Sequence, residues 1–134
     1  MPMLFGGTAP AALKRMAGWG KGYIARAVPA SMAASWFDAA RRAWGEAGRH
    51  GKPYLVGTAY FALGSSDKGR ANVYDHYSGL GTKVAQLTSR ALADSATAVR
   101  DVVNRYGDLG IDELLISAAT DDPDEVERLT EVLQ

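Results

Sequence analysis

Four short apolar segments, each followed by a stretch with helical periodicity, constrain the fold of this chain most. Strands of a sheet that alternate with helices pair in parallel, because each crossover returns the chain to the same edge of the sheet. The order β-α-β-α-β-α-α-β-α therefore predicts an α/β fold built from parallel βα units. The predicted strands are Met3–Phe5, Tyr23–Ala25, Tyr54–Leu63 and Leu114–Ile116.

The length of the chain limits how these units can be arranged. Its 134 residues are enough for one domain with a core and too few for two, so a single domain over residues 1–134 is predicted. A (β/α)₈ barrel takes about 250 residues, so four βα units would supply roughly half of one. A small doubly wound sheet that binds a phosphate, with helices on both faces, is the alternative architecture.

Composition excludes several classes of function. Fifteen basic and fifteen acidic residues give a formal net charge of zero, which argues against a nucleic-acid partner. The chain has no cysteine, so disulfides, thiolate metal sites and a cysteine nucleophile are excluded. No signal-peptide pattern and no apolar run of membrane-spanning length are present, so a cytoplasmic protein without membrane contact is predicted.

A glycine pair marks the first turn from strand to helix. Gly6 and Gly7 follow the first strand, Thr8 is predicted to N-cap the helix, and Pro10 lies in its first turn. Glycine lets a ligand approach backbone N–H groups at the positive end of a helix, which suits a phosphate. The alternative is a tight βα turn that needs glycine only for its dihedral angles; a positive φ at Gly7 would make Gly7→Val a test of folding as well as of binding.

Four stretches in order along the chain resemble the C-terminal half of the luciferase-like, flavin-dependent oxidoreductase family. The first is the strand with Gly-Gly, Thr-Ala-Pro and Ala-Ala-Leu at residues 4–13, and the second is residues 18–25, similar to the family's Gly-Asp-Gly-Trp-Ile segment. The third is Glu46-Ala47-Gly48-Arg49 before the strand at Tyr54. The fourth is residues 106–116, where Leu109 to Leu114 resembles Ala-Gly-Val-Asp-Glu-Leu, followed by Asp122-Pro123.

The resemblance implies half of a (β/α)₈ barrel whose cofactor, FMN or the deazaflavin F420, lies at the C-terminal ends of the strands. It assigns cofactor contact to Gly6, Gly7 and Thr8. It also implies an oxidoreductase or monooxygenase that acts on paired donors with incorporation or reduction of molecular oxygen. Lys21 stands where the family usually has Asp. No counterpart of the family's first four strands precedes Leu4, so a partial chain is expected.

No catalytic residue can be named from the sequence, and no metal site is expected. His76 is the one titratable group in a plausible acid–base setting, but the adjacent Asp75 does not face it on a helix; a surface histidine is favoured. His50 is predicted to lie in a loop. The remaining polar candidates are better explained as helix caps and first-turn charges: Ser65, Ser66, Asp121, Asp122 and Asp124.

A half-barrel has consequences that do not depend on a cofactor. Four strands cannot close a barrel, so two strand edges and one sheet face would stay open, and we expect a homo-oligomer or a complementing half-barrel as partner. A non-catalytic assembly or interaction module is therefore the alternative function. The side chains expected on the open face are Leu4, Ile24, Val56, Thr58, Tyr60, Leu115 and Ser117.

Overall fold

The computed structural model describes residues 3–134, which form one parallel sheet with helices packed on one face. The strands are β1 (Leu4–Phe5), β2 (Gly22–Ile24), β3 (Tyr54–Phe61) and β4 (Glu113–Ala118). The helices are α1 (Pro10–Trp19), α2 (Ala30–Glu46), α3 (Ser66–Tyr77), α4 (Thr82–Arg90), α5 (Ala96–Asp108) and α6 (Glu125–Leu133), and a 3₁₀ turn spans Ser78–Leu80.

The strands lie side by side in chain order, β1-β2-β3-β4, and every neighbouring pair is parallel. The predicted α/β class with parallel βα units is confirmed. The alternative of a doubly wound sheet is wrong, because such a sheet reverses its strand order at a switch point and this one does not. One continuous direction of winding is what a segment of a barrel requires.

The core lies between the sheet and the helices that flank it. Tyr23 of β2, Leu55 of β3 and Phe37 of α2 are each at most 2% exposed. The Phe37 ring packs edge-on against the rings of Tyr23 and Tyr106, with centroids 6.2 and 6.4 Å apart. These contacts hold α2 and α5 against the same face of β2 and β3.

The other face of the sheet carries no helix along most of its length. Burial alternates along β4, so that Leu114, Ile116 and Ala118 are half-buried and their neighbours are exposed. Of the side chains predicted on the open face, Leu4, Leu115 and Ser117 are exposed, and Ile24, Thr58 and Tyr60 are half-buried. The prediction is wrong for Val56, which is 1% exposed because β3 lies inside the sheet with β2 and β4 on either side. Leu4 and Leu115 are 39% and 43% exposed on the open face.

The helical segment between β3 and α5 lies over the C-terminal ends of β3 and β4. Gly69 of α3 sits so close to the sheet that a Cβ atom there would lie 2.6 Å from Cβ of Ala62. Val73 and Leu92 complete a small buried cluster with Ala62. This segment therefore covers one corner of the face that is otherwise open.

The last helix is packed differently from the sequence-based expectation. The helical spacing of Val126, Leu129 and Leu133 predicts a buried apolar stripe, but Val126 is 66% and Leu133 49% exposed. Glu125 is fully buried instead, because its carboxylate accepts hydrogen bonds from the N–H groups of Leu63 and Gly64 at 2.9 and 2.8 Å. This contact rotates the helix so that its inward stripe contains a carboxylate.

Two further local predictions are wrong. Thr8 does not N-cap α1; Ala9 occupies that position, no side chain caps the helix, and the Ala9 carbonyl accepts from the N–H groups of Ala12 and Leu13 at 3.0 and 3.2 Å. The sequence also predicts that Gly18 ends α1 in a left-handed conformation, but the helix continues to Trp19 and the Gly20 N–H donates to the carbonyl of Met16. A cap of α5 by Ser95, which the sequence predicts as well, is confirmed, because its side chain accepts from the Ala98 N–H at 3.1 Å.

Candidate functional site

A cavity of about 390 Å³ lies at the C-terminal ends of the strands, on the open face of the sheet. All four strands or the residues directly after them contribute to it, as expected for the ligand-binding end of a parallel sheet. α2 and α3 add one aromatic ring each. The lining residues are Gly6, Gly7, Tyr23, Ile24, Ala25, Arg26, Trp36, Thr58, Ala59, Tyr60, Tyr77, Leu115 and Ser117.

Arg26 is the one charged side chain among these lining residues. It lies two residues after β2, its guanidinium carbon is 4.8 Å from the centroid of the Trp36 ring, and it takes part in no ion pair among residues 3–134. Its Nε is buried and has no hydrogen-bond partner in the same part of the chain. A half-buried arginine whose Nε is buried and unpaired, and which has no carboxylate partner among residues 3–134, favours an anionic ligand.

Sequence reasoning missed both Arg26 and Trp36 as site residues. The signal for Arg26 was its position, because the residues directly after a parallel strand lie at the ligand-binding edge of the sheet. The sequence predicts Trp36 as a core or partner contact. It is half-buried and packs against the core, and its ring also lies against the Arg26 guanidinium.

Tyr60 and Tyr77 form the covered corner of the cavity. Their hydroxyl groups are 3.0 Å apart and their rings are at 74° with centroids separated by 6.1 Å. Burial, and then the hydrogen bond to Tyr60, raises the pKa of Tyr77 to about 12. The Tyr77 hydroxyl is therefore protonated at neutral pH. Because one hydroxyl of the pair donates to the other, one O–H remains free to donate a further hydrogen bond.

The glycine pair lies where the sequence suggested, at the mouth of the cavity. Gly7 has φ of +97°, so the turn needs glycine for its conformation. Gly6 has no such requirement, but a Cβ there would lie 3.3 Å from the carbonyl oxygen of Ile24. Thr8 is exposed and is not among the lining residues. Cofactor contact by Gly6, Gly7 and Thr8 stays a prediction.

The other residues considered from the sequence lie elsewhere. His76 is exposed, with its ring 4.9 Å from that of Tyr77 and outside the cavity, while His50 is exposed in the loop before β3. Lys21 lies at the opposite, N-terminal edge of the sheet, with its ammonium 4.8 Å from the centroid of the Tyr54 ring. Neither histidine contributes to the site that the strand ends form.

The aspartates before α6 have structural partners. Asp122 accepts a hydrogen bond from Arg128 at 2.9 Å and another from the backbone N–H of Asp124 at 3.0 Å. The hydrogen bond from Arg128, more than any other contact, lowers the pKa of Asp122. Asp121 lies 3.8 Å from the ammonium of Lys68. These contacts account for the acidic cluster as the start of a helix.

A larger cleft, of about 820 Å³, lies on the outer surface between α1 and α2. Five alanines line it together with Leu13 and Trp19, and the charged lining residues are Lys14, Arg15, Arg42 and Glu46. It is remote from the strand ends, where loops and backbone groups converge in parallel sheets. The smaller cavity is therefore the better candidate for a ligand.

Among residues 3–134, no helix has the length and apolar character needed to cross a membrane.

Neither a protein-family model nor a curated protein matches the sequence. The fold, in contrast, has clear counterparts among solved structures.

The chain is similar to an F420-dependent secondary alcohol dehydrogenase in complex with an F420-acetone adduct, at 16% identity and a TM-score of 0.74, over 98% of this chain and 48% of that one. A coenzyme F420-dependent tetrahydromethanopterin reductase from Methanopyrus kandleri matches at 13% identity and a TM-score of 0.63, over 99% of this chain and 49% of that one. An EDTA monooxygenase from Chelativorans sp. BNC1 matches at 14% identity and a TM-score of 0.63, over 97% of this chain and 42% of that one.

The fold of the chain is that of about half of each of these structures. The chain spans 42–49% of the length of these three structures while nearly all of it is matched. The resemblance inferred from the glycine turn and the three later stretches is thus confirmed at the level of the fold.

Proposed function

We propose that this chain is a cofactor-binding half of a flavin- or F420-dependent oxidoreductase of the luciferase-like kind. The cavity at the strand ends is the observation that carries the proposal. It combines a glycine turn, an arginine with no carboxylate partner and several aromatic rings. Structures similar to this chain include two F420-dependent enzymes and a riboflavin lyase with modified FMN.

The residues present fit the anionic end of such a cofactor. Arg26 supplies a positive charge whose buried Nε lacks a partner, and the Gly6–Gly7 turn leaves space at the mouth of the cavity. Trp36 and Tyr77 offer apolar ring surface for a planar group. In this assignment Gly6, Gly7 and Thr8 contact the phosphate-bearing side chain of the cofactor, and Arg26 neutralises its charge.

A flavin or deazaflavin, when bound, supplies the hydride chemistry, and the protein binds, orients and excludes water. Within this chain the binding role falls to Arg26 and the glycine turn. The hydrogen-bonded hydroxyl groups of Tyr60 and Tyr77 offer one O–H donor toward the cavity. The reaction on paired donors with incorporation or reduction of molecular oxygen belongs to this proposal, as does the choice of FMN or F420.

A comparison of FMN with riboflavin tests the proposal, because the two differ only in the phosphate. We expect saturable quenching of FMN fluorescence by the purified chain, and binding of riboflavin that is weaker by about tenfold or more, the value of one charge-assisted contact. Arg26→Gln should remove this difference. F420 is titrated in parallel, and its saturable binding also supports the proposal.

Arg100→Gln is the matched control, since Arg100 is exposed on α5 and the substitution removes the same charge. It should leave FMN affinity unchanged. Equal affinities for FMN and riboflavin, or equal losses in the two arginine variants, would contradict the assigned role of Arg26. Absence of binding of both cofactors at high protein concentration would contradict the proposed function and favour the non-catalytic half-barrel module, which the exposure of Leu4 and Leu115 on the open face also supports.

A further inference from the structure

The two outer strands of the sheet each have a neighbour on one side only. β1 pairs with β2 and β4 pairs with β3, and no further strand among residues 3–134 covers their other edges. Such edges present a row of backbone donors and acceptors that can pair with another strand. The sheet therefore has two unpaired strand edges, one on β1 and one on β4, and we call the contacts that could form along them seams. A partner that covers both edges has to pair with β1 and β4 at the same time.

The register across the sheet shows which residues could meet at a seam. Leu4 is level with Gly22 and Gly22 is level with Tyr54. Because Val56 is level with Glu113, the same row reaches the far side of the sheet at Ile111, just before β4 begins. Leu4 and β4 are thus offset along the strand direction, as they are in a tilted barrel.

A closed barrel of eight strands with a shear of eight shifts the register by about four residues over each half. Moving four residues along the chain from Ile111 leads to Leu115, in the middle of β4. The opposite shift leads to Gly107, which lies in α5 and has no strand to offer. The barrel geometry therefore places Leu115 of one copy opposite Leu4 of another.

This register gives matching pairs on both faces of the sheet. Leu4 and Leu115 both point to the open face and are exposed to a similar degree, 39% and 43%. Phe5 and Ile116, the next pair, both pack on the helix-covered side. A register slip by one residue would pair an inward side chain with an outward one, so the apolar pattern agrees with the shift that the barrel geometry requires.

The helices next to the seams carry further apolar side chains without cover. α1 follows β1 and α6 follows β4, so in a closed barrel α6 of one copy would lie beside α1 of the other. Trp19, at the end of α1, is 72% exposed, and Leu133, at the end of α6, is 49% exposed. Both lie at the same end of the barrel, because each helix runs antiparallel to its strand.

We propose that two copies of this chain pair edge to edge about a twofold axis and close an eight-stranded parallel barrel. β4 of each copy lies beside β1 of the other, so both edges are buried by one self-complementary contact. The chain spans 48% and 49% of two of the barrels it matches, so two copies amount to one barrel. The same register brings Ser117 of one copy beside the Gly6–Gly7 turn of the other, which makes each cavity depend on both copies.

The first test is the oligomeric state in solution, which is independent of any cofactor. We expect sedimentation velocity at micromolar concentration to give twice the chain mass of 14.2 kDa. Leu115→Lys should weaken the dimer by about tenfold or more, because it places a charge in each seam. Leu80→Lys is the control, since Leu80 is 65% exposed in the turn before α4 and remote from both edges.

The second test addresses the register and uses the absence of cysteine from the chain. Leu4→Cys and Leu115→Cys variants are oxidised separately and as a mixture. Neighbouring strands lie about 4.8 Å apart, within disulfide range, whereas the two copies of either residue lie across the barrel from each other. We therefore expect covalent dimers from the mixture alone.

Replacing Leu115→Cys by Glu113→Cys in the mixture moves the thiol two residues along the same face and should lower the yield strongly. A monomeric wild-type chain would overturn the proposal. So would a dimer that Leu115→Lys leaves intact with its far-UV circular dichroism unchanged, or cross-linking that is equal for Leu115→Cys and Glu113→Cys.

Discussion

The two faces of the sheet have different surroundings although the same strands form them. On the helix-covered face, Tyr23, Leu55 and Phe61 are at most 2% exposed and contact aromatic or aliphatic side chains from α2 and α5. On the open face, Leu115 is 43% exposed and Ser117 is exposed beside the cavity. The helix-covered face is part of a complete core. The open face carries apolar side chains of the kind found in a protein interior, but within residues 3–134 no second layer covers most of it.

Apolar residues along a strand therefore predict burial, but they do not identify the element that covers the strand. The amphipathic helices account for one face, because each has a single apolar stripe. On the open face, within residues 3–134, α3 covers one corner and no helix covers the rest. The open face therefore bears both candidate functions, ligand binding at the strand ends and pairing at the edges.

We expect the largest loss of stability from a substitution in the core under the helix-covered face. Phe37→Ala should lower the free energy of unfolding by about 3–5 kcal/mol, since Phe37 is fully buried between two aromatic rings and its loss leaves a cavity. Leu115→Ala, on the open face, should cost roughly 1 kcal/mol or less in the separate chain. Urea unfolding at low protein concentration measures both.

Similar costs for the two variants would mean that the open face is covered in solution even at low concentration. A cost for Leu115→Ala that grows with protein concentration would indicate burial by association. Unfolding of the two variants over a range of protein concentrations therefore shows whether association buries the open face.

A smaller effect is expected at the end of the covered face, where α6 is held by a buried carboxylate. Glu125→Gln should destabilise the chain by about 1–3 kcal/mol, because the amide nitrogen cannot accept the hydrogen bond that one carboxylate oxygen now accepts from a backbone N–H. Glu127→Gln is the matched control, since Glu127 is exposed on the same helix. Equal free energies of unfolding for the two variants would contradict the role given to Glu125.

The glycine turn at the mouth of the cavity should show a still smaller effect. Gly7→Ala is expected to cost about 1 kcal/mol because φ is +97° there. Gly6→Ala should cost less, since the new Cβ meets the Ile24 carbonyl oxygen only slightly too closely, at 3.3 Å. Thermal unfolding of both variants measures this order. Gly7→Val is consequently a poor test of ligand binding, because it strains the fold directly.

The elements and their order could be predicted because each depends on local pattern. Strand-like apolar runs placed the four strands within about two residues of their observed ends, and helical periodicity predicted five helices in the order where six are observed among residues 3–134. The family resemblance then supplied the barrel geometry, which no local pattern in 134 residues contains. The strand order β1-β2-β3-β4 excluded the doubly wound alternative only once it was observed.

The cavity was harder to predict, because it depends on contacts between distant residues. The Gly6–Gly7 turn has a local signature. Arg26, in contrast, is recognised as a site residue only from its contact with Trp36, ten residues later, and from the lack of a carboxylate partner among residues 3–134. The inward stripe of α6 was missed for the same reason. An apolar stripe predicts burial by periodicity, but Glu125 is buried because two backbone N–H groups sixty residues earlier need an acceptor.

The smallest effect concerns the one corner of the open face that is covered. Burial and the hydrogen bond to Tyr60 raise the pKa of Tyr77 to about 12. Because the folded-state pKa lies above the ordinary value, the contact stabilises the fold fully below about pH 10 and loses this contribution as the pH rises through 12. Near-ultraviolet absorbance of tyrosinate should therefore show a late-titrating group that disappears in Tyr77→Phe, in addition to those of Tyr23, Tyr54 and Tyr106, whose pKa values are raised too. Tyr74→Phe, three residues earlier on the same helix, should retain the group that Tyr77→Phe removes. If Tyr77→Phe instead removes a group that titrates near the ordinary tyrosine value of about 10, water reaches this corner as freely as the rest of the open face, and the two faces differ along their whole length.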